Sequence, residues 1–254
     1  MLDIGMTRAE LAGAIDETLH ANNMHDGVHI RLMVTRGVKA TPYQDPRLTI
    51  GPATVVIIAE HKEPLPSTVV DGITLFTTHV RRATPDTLDP RLNAHSKLND
   101  ITACIQAYTA GADEALMLDP QGFVATCNST HFFIVASGND GDEVWTSDGR
   151  FCLAGITRAN VLRVCRDAGI TAREKTFSLT DVYSARRPSS PGRLPGWCRC
   201  AALTAARSGA APAAPWSSGC RGSIGTWCVQ MWRHARDRAG RDVVGAAQHL
   251  HGDD

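Results

Sequence analysis

Through residues 1–183 the apolar positions switch repeatedly between helical spacing and short strand-like runs. Leu11, Ile15 and Leu19 recur every fourth residue behind Thr7-Arg8-Ala9-Glu10, a capping-box sequence, and predict a helix over residues 7–21. Residues 26–36, centred on His29-Ile30-Arg31-Leu32-Met33-Val34, read as a strand. Residues 53–59 and 73–79 are β-branched and apolar, which predicts buried strands. Pro85 and Pro90 make residues 84–92 a connection. A helix over 101–110 follows, then a strand over 114–118 and a turn at Asp119-Pro120-Gln121-Gly122. Residues 123–127, 132–135 and 144–146 continue the sheet. A helix over 157–168, closed by Gly169 as C-cap, and a strand over 171–177 complete the series. This order predicts an α/β (α+β) fold: a small α/β domain over residues 1–83, a linker over 84–95 and a larger mixed-sheet or barrel domain over 96–183.

After Tyr183 the pattern stops. Residues 184–254 carry ten arginines, no lysine and no glutamate, and they hold four of the five tryptophans. Pro, Gly, Ser and Ala fill most of the rest without an apolar period. A disordered basic tail would rarely carry so many tryptophans. Cys198, Cys200, Cys220 and Cys228 lack the spacing of a zinc ribbon. An out-of-frame reading of a GC-rich gene yields this composition. Back-translating residues 188–200 in a shifted frame gives a run with a threonine-glycine-threonine step. The same offset over residues 216–228 gives an amphipathic helix. A frameshift near Ala185 is therefore expected, with residues 184–254 an irregular tail.

At 254 residues the chain can bury a sizeable core. Lys+Arg and Asp+Glu balance at 26 each, so no net field draws the chain to nucleic acid or to a membrane surface. No apolar run is long enough to span a bilayer, and Met1-Leu2-Asp3-Ile4-Gly5 does not open a signal peptide, so a cytoplasmic location is expected. Cys104, Cys127, Cys152 and Cys165 stand singly in apolar elements and read as reduced, buried thiols. The ten histidines show no metal-ligand spacing, and there is no P-loop, Gly-x-Ser-x-Gly elbow or dinucleotide fingerprint.

One stretch remains, residues 92–158. It contains Ser96-Lys97-Leu98-Asn99-Asp100, a helix ending Ala110-Gly111-Ala112-Asp113-Glu114-Ala115, a strand-turn-strand over 116–135, and Leu153-Ala154-Gly155-Ile156-Thr157-Arg158. In order and spacing this resembles the class IV (fold-type IV) pyridoxal-phosphate enzymes, which include branched-chain aminotransferases, D-amino acid transaminases and aminodeoxychorismate lyase. The resemblance covers about residues 5–183. It implies two domains, a homodimer, pyridoxal 5'-phosphate as cofactor, and transamination between an amino acid, branched-chain first, and a 2-oxo acid. An aminodeoxychorismate lyase-type reaction and a catalytically inactive fragment are the alternatives. In the resembled family a strand pair and a glycine-rich segment precede the first helix seen here, so Met1 reads as an internal start.

Such an enzyme needs a lysine for the Schiff base, a partner for the pyridine nitrogen and donors for the phosphate. The resemblance assigns the first role to Lys97, whose amine partial burial would keep neutral. By residue type alone Lys97 reads as a solvated lysine before a helix. One residue separates it from Asn99, where the family has two or three, so a strict alignment puts Ser96 at the lysine position. Thr126 stands where most of the family has the glutamate that pairs with the ring nitrogen, and a hydroxyl cannot hold that nitrogen protonated as a carboxylate does. Cys127 and Asn128 complete this end, and His131 replaces an asparagine. Gly155, Ile156 and Thr157 open a helix whose first N–H groups attract an anion, with the Thr157 hydroxyl as a further donor or as a plain helix cap.

Overall fold

The computed structural model describes residues 3–62, 73–138 and 141–185. The tail and its frame lie outside the described residues. The chain divides into two compact units, one formed by residues up to Pro64 and one beginning at Leu65.

In the first unit helix α1 (Arg8–Ala21) opens with the predicted capping box. The Glu10 N–H donates to Thr7 Oγ1 at 3.2 Å, and the Thr7 N–H donates to Glu10 Oε2 at 2.7 Å. Strand β1 (Val28–Thr35) pairs antiparallel with β2 (Thr54–His61), from Val28 opposite His61 to Thr35 opposite Thr54. The burial predicted for β2 does not hold. Val56 and Ile58 are 37% and 45% exposed. A two-stranded sheet with α1 packed on it covers alternate residues only, whatever their hydrophobicity.

The second unit holds two three-stranded sheets. In one, β3 (Leu75–Arg81) runs parallel to β4 (Glu114–Leu118), and β5 (Val124–Cys127) returns antiparallel. In the other, β6 (Phe133–Gly138) pairs antiparallel with β7 (Gly141–Thr146), which runs parallel to β8 (Ala172–Glu174). The helices are α2 (Pro85–Leu88), α3 (Leu98–Thr109), α4 (Ile156–Asp167) and α5 (Leu179–Ser184). The crossover from β3 through α3 to β4 is the connection that parallel strands require. It places residues 75–81 in the second unit, and residues 85–88 form a short helix within that crossover.

Every residue of β4 is buried, because each face is covered. Leu116 and Leu118 enter a core with Leu75, Val124, Phe132, Ile134, Phe177 and Val182. Ala115 and Met117 face Ala103 and Ala107 of α3, and two alanines with no exposed surface let the helix lie close to the sheet. Strand β8 is shorter than predicted. Lys175 leaves the sheet and lays its ammonium 3.7 Å from the centre of the Trp145 ring, while Phe177 turns into the core.

Glu114 heads β4 and is 5% exposed. Its Oε1 accepts from the Ser129 N–H (2.9 Å), the Ser129 hydroxyl (2.7 Å) and the Thr130 N–H (2.9 Å), and its Oε2 accepts from the Thr130 hydroxyl at 2.8 Å. Asn128 closes the same turn from its other side. Its N–H donates to the Ala115 carbonyl at 3.0 Å, and its Oδ1 accepts from the Ala115 N–H at 2.7 Å. The turn between β5 and β6 is therefore locked to the first two residues of β4. Glu114→Ala strands four donors in a buried site, and urea unfolding should show a loss of about 3 kcal/mol, with Glu114→Gln losing about half as much. A loss below about 1 kcal/mol for the alanine variant would mean that water can take the carboxylate's place.

Candidate active site

Three segments carry the candidate residues, and side chains tie them together. The first is the start of α3. Lys97 is its N-cap, is exposed, and donates from Nζ to Asn93 Oδ1 at 3.1 Å. The burial expected for this lysine is absent among the described residues. The next two polar residues turn toward the sheet instead. Asn99 Nδ2 donates to the Arg81 carbonyl at 2.6 Å, and Asp100 pairs with Arg82 Nη1. Arg82 also donates from Nε to the Phe151 carbonyl at 3.0 Å and from its backbone N–H to the Leu118 carbonyl at 2.9 Å. One guanidinium, 12% exposed, thus joins the Lys97 segment to the loop that leads into α4.

The second segment is the end of β5 and the turn after it. Thr126 is 5% exposed, and its hydroxyl donates to the Thr130 carbonyl at 2.8 Å. Cys127 lies in the core, where burial and then the charge of Glu114 push its thiol well above the ordinary range. Asn128 braces Ala115 as described. The side chains of Cys127 and Asn128 are thus committed to core and sheet, and they frame the turn. His131 follows, half-buried, with its ring against Gly155.

The third segment is the start of α4. Gly155 is the N-cap, with extended backbone (φ −77°, ψ 141°) and no side-chain cap bond. The first helical hydrogen bond runs from Ala159 N–H to the Gly155 carbonyl at 3.1 Å, which leaves the N–H groups of Ile156, Thr157 and Arg158 to point out of the helix end. Ile156 is 82% exposed, so this end is open. Arg158 is buried behind it. Its Nη2 donates to the Ser147 carbonyl at 2.6 Å and to Glu174 Oε2 at 2.7 Å, while its Nε is buried without an acceptor.

The structure therefore brings the end of β5 and the Thr130–His131 turn against Gly155 at the start of α4, and Arg82 ties Asp100, three residues after Lys97, to Phe151 in the loop before α4. The donors fit an anionic phosphate: a glycine N-cap, uncapped N–H groups and a buried cation behind them. The ring-nitrogen end fits less well, because the Thr126 hydroxyl carries no charge and its proton is already donated. A separate shallow recess touches Asp119, Ser147, Asp148 and Phe151. Its two carboxylates have the wrong sign for a phosphate, and none of the candidate residues lines it.

Sequence reasoning passed over Glu114, Arg82 and the His131–Gly155 contact. A glutamate opening an otherwise apolar strand was the available signal for Glu114. Nothing local marks the other two, since Arg82 and Phe151 are 69 residues apart in sequence.

Comparison with known proteins identifies the family. The family described as amino-transferase class IV matches residues 1–188. The branched-chain-amino-acid aminotransferase-like protein 2 of Arabidopsis thaliana is 37% identical over 191 residues, 74% of this chain and 33% of that protein. The branched-chain aminotransferase of Thermoproteus uzoniensis, solved with norvaline, superposes with a TM-score of 0.64 at 30% identity, over 72% of this chain and 60% of that one. The T.th. branched-chain amino acid aminotransferase, solved with N-(5'-phosphopyridoxyl)-L-glutamate, gives a TM-score of 0.63 at 27% identity, over 72% and 57% of the two chains. The chain spans a third of the first relative and about three fifths of the solved enzymes. It belongs to the class IV aminotransferase family.

Proposed function

We propose that the chain binds pyridoxal 5'-phosphate and transfers an amino group between an amino acid, branched-chain in the first instance, and a 2-oxo acid. The observation that carries this reading is the open, uncapped N-terminus of α4 backed by buried Arg158, and fastened through Arg82 to the segment bearing Lys97. The solved relatives hold a phosphopyridoxyl-glutamate and norvaline, the one a cofactor–amino acid adduct and the other an unbranched aliphatic amino acid. The same reading carries a homodimer in the cytoplasm, and no helix among the described residues is long and apolar enough to cross a membrane.

When bound, the cofactor supplies a carbonyl and an electron-withdrawing ring. The chain supplies the rest. The N–H groups of Ile156 and Thr157 and the Thr157 hydroxyl fix the phosphate, with the helix dipole and Arg158 adding positive potential. Lys97 Nζ takes a proton from the substrate α-carbon and returns it, after exchanging its bond to Asn93. Thr126, Cys127 and Asn128 frame the ring end, with backbone and hydroxyl oxygens as acceptors.

A second reading is favoured by Thr126: a chain that holds the cofactor but turns over slowly. A ring nitrogen facing a hydroxyl rather than a carboxylate withdraws electrons weakly.

Two variants test these assignments. Lys97→Ala should abolish the visible absorbance that the bound cofactor gains from the lysine and lower turnover roughly 10²–10⁴-fold. An unchanged spectrum and rate would move the Schiff base to another residue. Thr126→Glu should raise turnover about tenfold, the order of one hydrogen bond to a charged group. An equal or lower kcat in a variant that still folds and binds cofactor would remove residue 126 from the ring nitrogen.

A further inference from the structure

We propose that the solvent face of α3 is a self-association surface, on which a second copy of this chain packs its own α3 antiparallel about a two-fold axis. This deepens the homodimer carried by the functional reading above and rests on that part of it alone, not on the cofactor or on Lys97.

Helix α3 lies on its sheet the opposite way round from a helix that merely covers one. It packs against β3 and β4, and the residues it turns inward are small: Ala103 and Ala107, both without exposed surface. Its large apolar residues face solvent. Leu98 is 73% exposed, Ile101 52%, Ile105 59% and Tyr108 81%. A surface helix ordinarily buries its large apolar stripe and turns polar residues outward. At 3.6 residues per turn these four lie within about 80° of one another, directly opposite the alanines. They form one continuous stripe rather than scattered surface hydrophobics, and such a patch marks a contact surface.

Nothing on the helix covers this stripe. Exposed apolar residues are commonly shielded by the stems of long charged side chains. Leu98–Thr109 contains a single charged residue, Asp100, and it turns in to Arg82. The polar side chains are committed as well. Asn99 donates to the Arg81 carbonyl, the Thr102 hydroxyl donates to the Leu98 carbonyl at 2.8 Å, and Gln106 bonds to Thr78 and His79.

Two properties select a second copy over a different partner. The stripe is uncharged, so a partner recognised by its charge gains nothing from it, whereas the core of a protein interface is poor in charge. Its spacing of three, four and three residues also reads the same in both directions. A two-fold axis level with Ala103 therefore sets Leu98 opposite Tyr108 of the second copy and Ile101 opposite Ile105, and the reciprocal contacts follow from the symmetry. The same spacing forms the apolar seam of paired helices. In this arrangement Lys97 lies level with Thr109 of the second copy, beside a helix C-terminus whose free carbonyls attract a cation. Two such stripes supply roughly half of a standard interface of about 1,600 Å². The dimer is therefore concentration-dependent, with a Kd in the micromolar range.

The test is sedimentation equilibrium on the full chain, which should show a monomer–dimer equilibrium. Ile105→Glu sets a carboxylate against Ile101 of the second copy and should weaken the dimer about thirtyfold, as expected of a central interface residue. It should leave thermal melting of the dilute monomer unchanged, because the position is exposed. Ile50→Glu, at a residue of the first unit that is 68% exposed, should leave the equilibrium in place. Ile101→Lys should weaken the dimer like Ile105→Glu. An equimolar mixture of the two variants should recover a dimer that neither forms alone, since the lysine of one then meets the glutamate of the other. No recovery in the mixture would overturn the antiparallel pairing. A dimer that Ile105→Glu does not weaken overturns the inference and leaves the homodimer to another surface. Equal weakening by Ile50→Glu means unspecific apolar association and also overturns it. A wild-type chain that stays monomeric at submillimolar concentration removes this surface and the homodimer together and gives the stripe to a different partner. Pyridoxal 5'-phosphate binding, followed separately by absorbance, decides the rest of the functional reading.

Discussion

The arrangement of the candidate site depends on one buried carboxylate. Glu114 carries a negative charge into a region with almost no solvent, and no cation pairs with it among the described residues. Such a charge is tolerated only when its oxygens are fully bonded. Here four donors of Ser129 and Thr130 serve it, two from the backbone and two from hydroxyls. Because those donors belong to consecutive residues, they can satisfy Glu114 in only one backbone path. That path sends the Thr130 carbonyl toward Thr126 and delivers His131 to the mouth of α4. The carboxylate is a structural anion, and its geometry is inherited by residues that never touch it.

Arg82 performs the corresponding task for the other half of the site. Its guanidinium bonds to Asp100 and to the Phe151 carbonyl, and its backbone N–H to Leu118. The planar fork reaches two partners at fixed angles, which a lysine could not do. Near the candidate site, the carboxylates on the second unit are already committed: Asp100 to Arg82, Glu174 to Arg158, Glu114 to the turn. What remains uncommitted is positive or donating: the first-turn N–H groups of α4, Arg158 Nε and the imidazole of His131. Among the described residues the candidate site is thus left with donors rather than free carboxylates.

Much of this was legible in the chain itself. Thr7-Arg8-Ala9-Glu10 predicted its capping box correctly because a cap is made from residues three apart and needs no tertiary partner. Asp119-Pro120-Gln121-Gly122 turned where expected, with Asp119 Oδ1 accepting from the Gln121 and Phe123 N–H groups at 3.0 and 2.8 Å. Gly155-Ile156-Thr157 did open a helix, since glycine in extended backbone is an acceptable N-cap. Where expectation failed, the deciding partner lay far away in sequence. β2 looked buried, but its burial depends on how many strands and layers surround it. Residues 73–79 looked like part of the first domain, but Leu75 pairs with Glu114, 39 positions on. Lys97 is exposed, as its residue type alone reads, while Asp100 three residues on turns in to Arg82.

Thr126 is where the local and global arguments meet. A strand threonine with its hydroxyl on a nearby carbonyl is an ordinary way to satisfy a buried polar group. Its bond to the Thr130 carbonyl also stiffens the turn that Glu114 closes from the other side. A glutamate at residue 126 would place a second carboxylate across the same four-residue turn, and it could not donate to Thr130. That lost bond would loosen the turn even where the added carboxylate serves the ring nitrogen. The threonine therefore satisfies its own buried hydroxyl and stiffens the turn with a single bond.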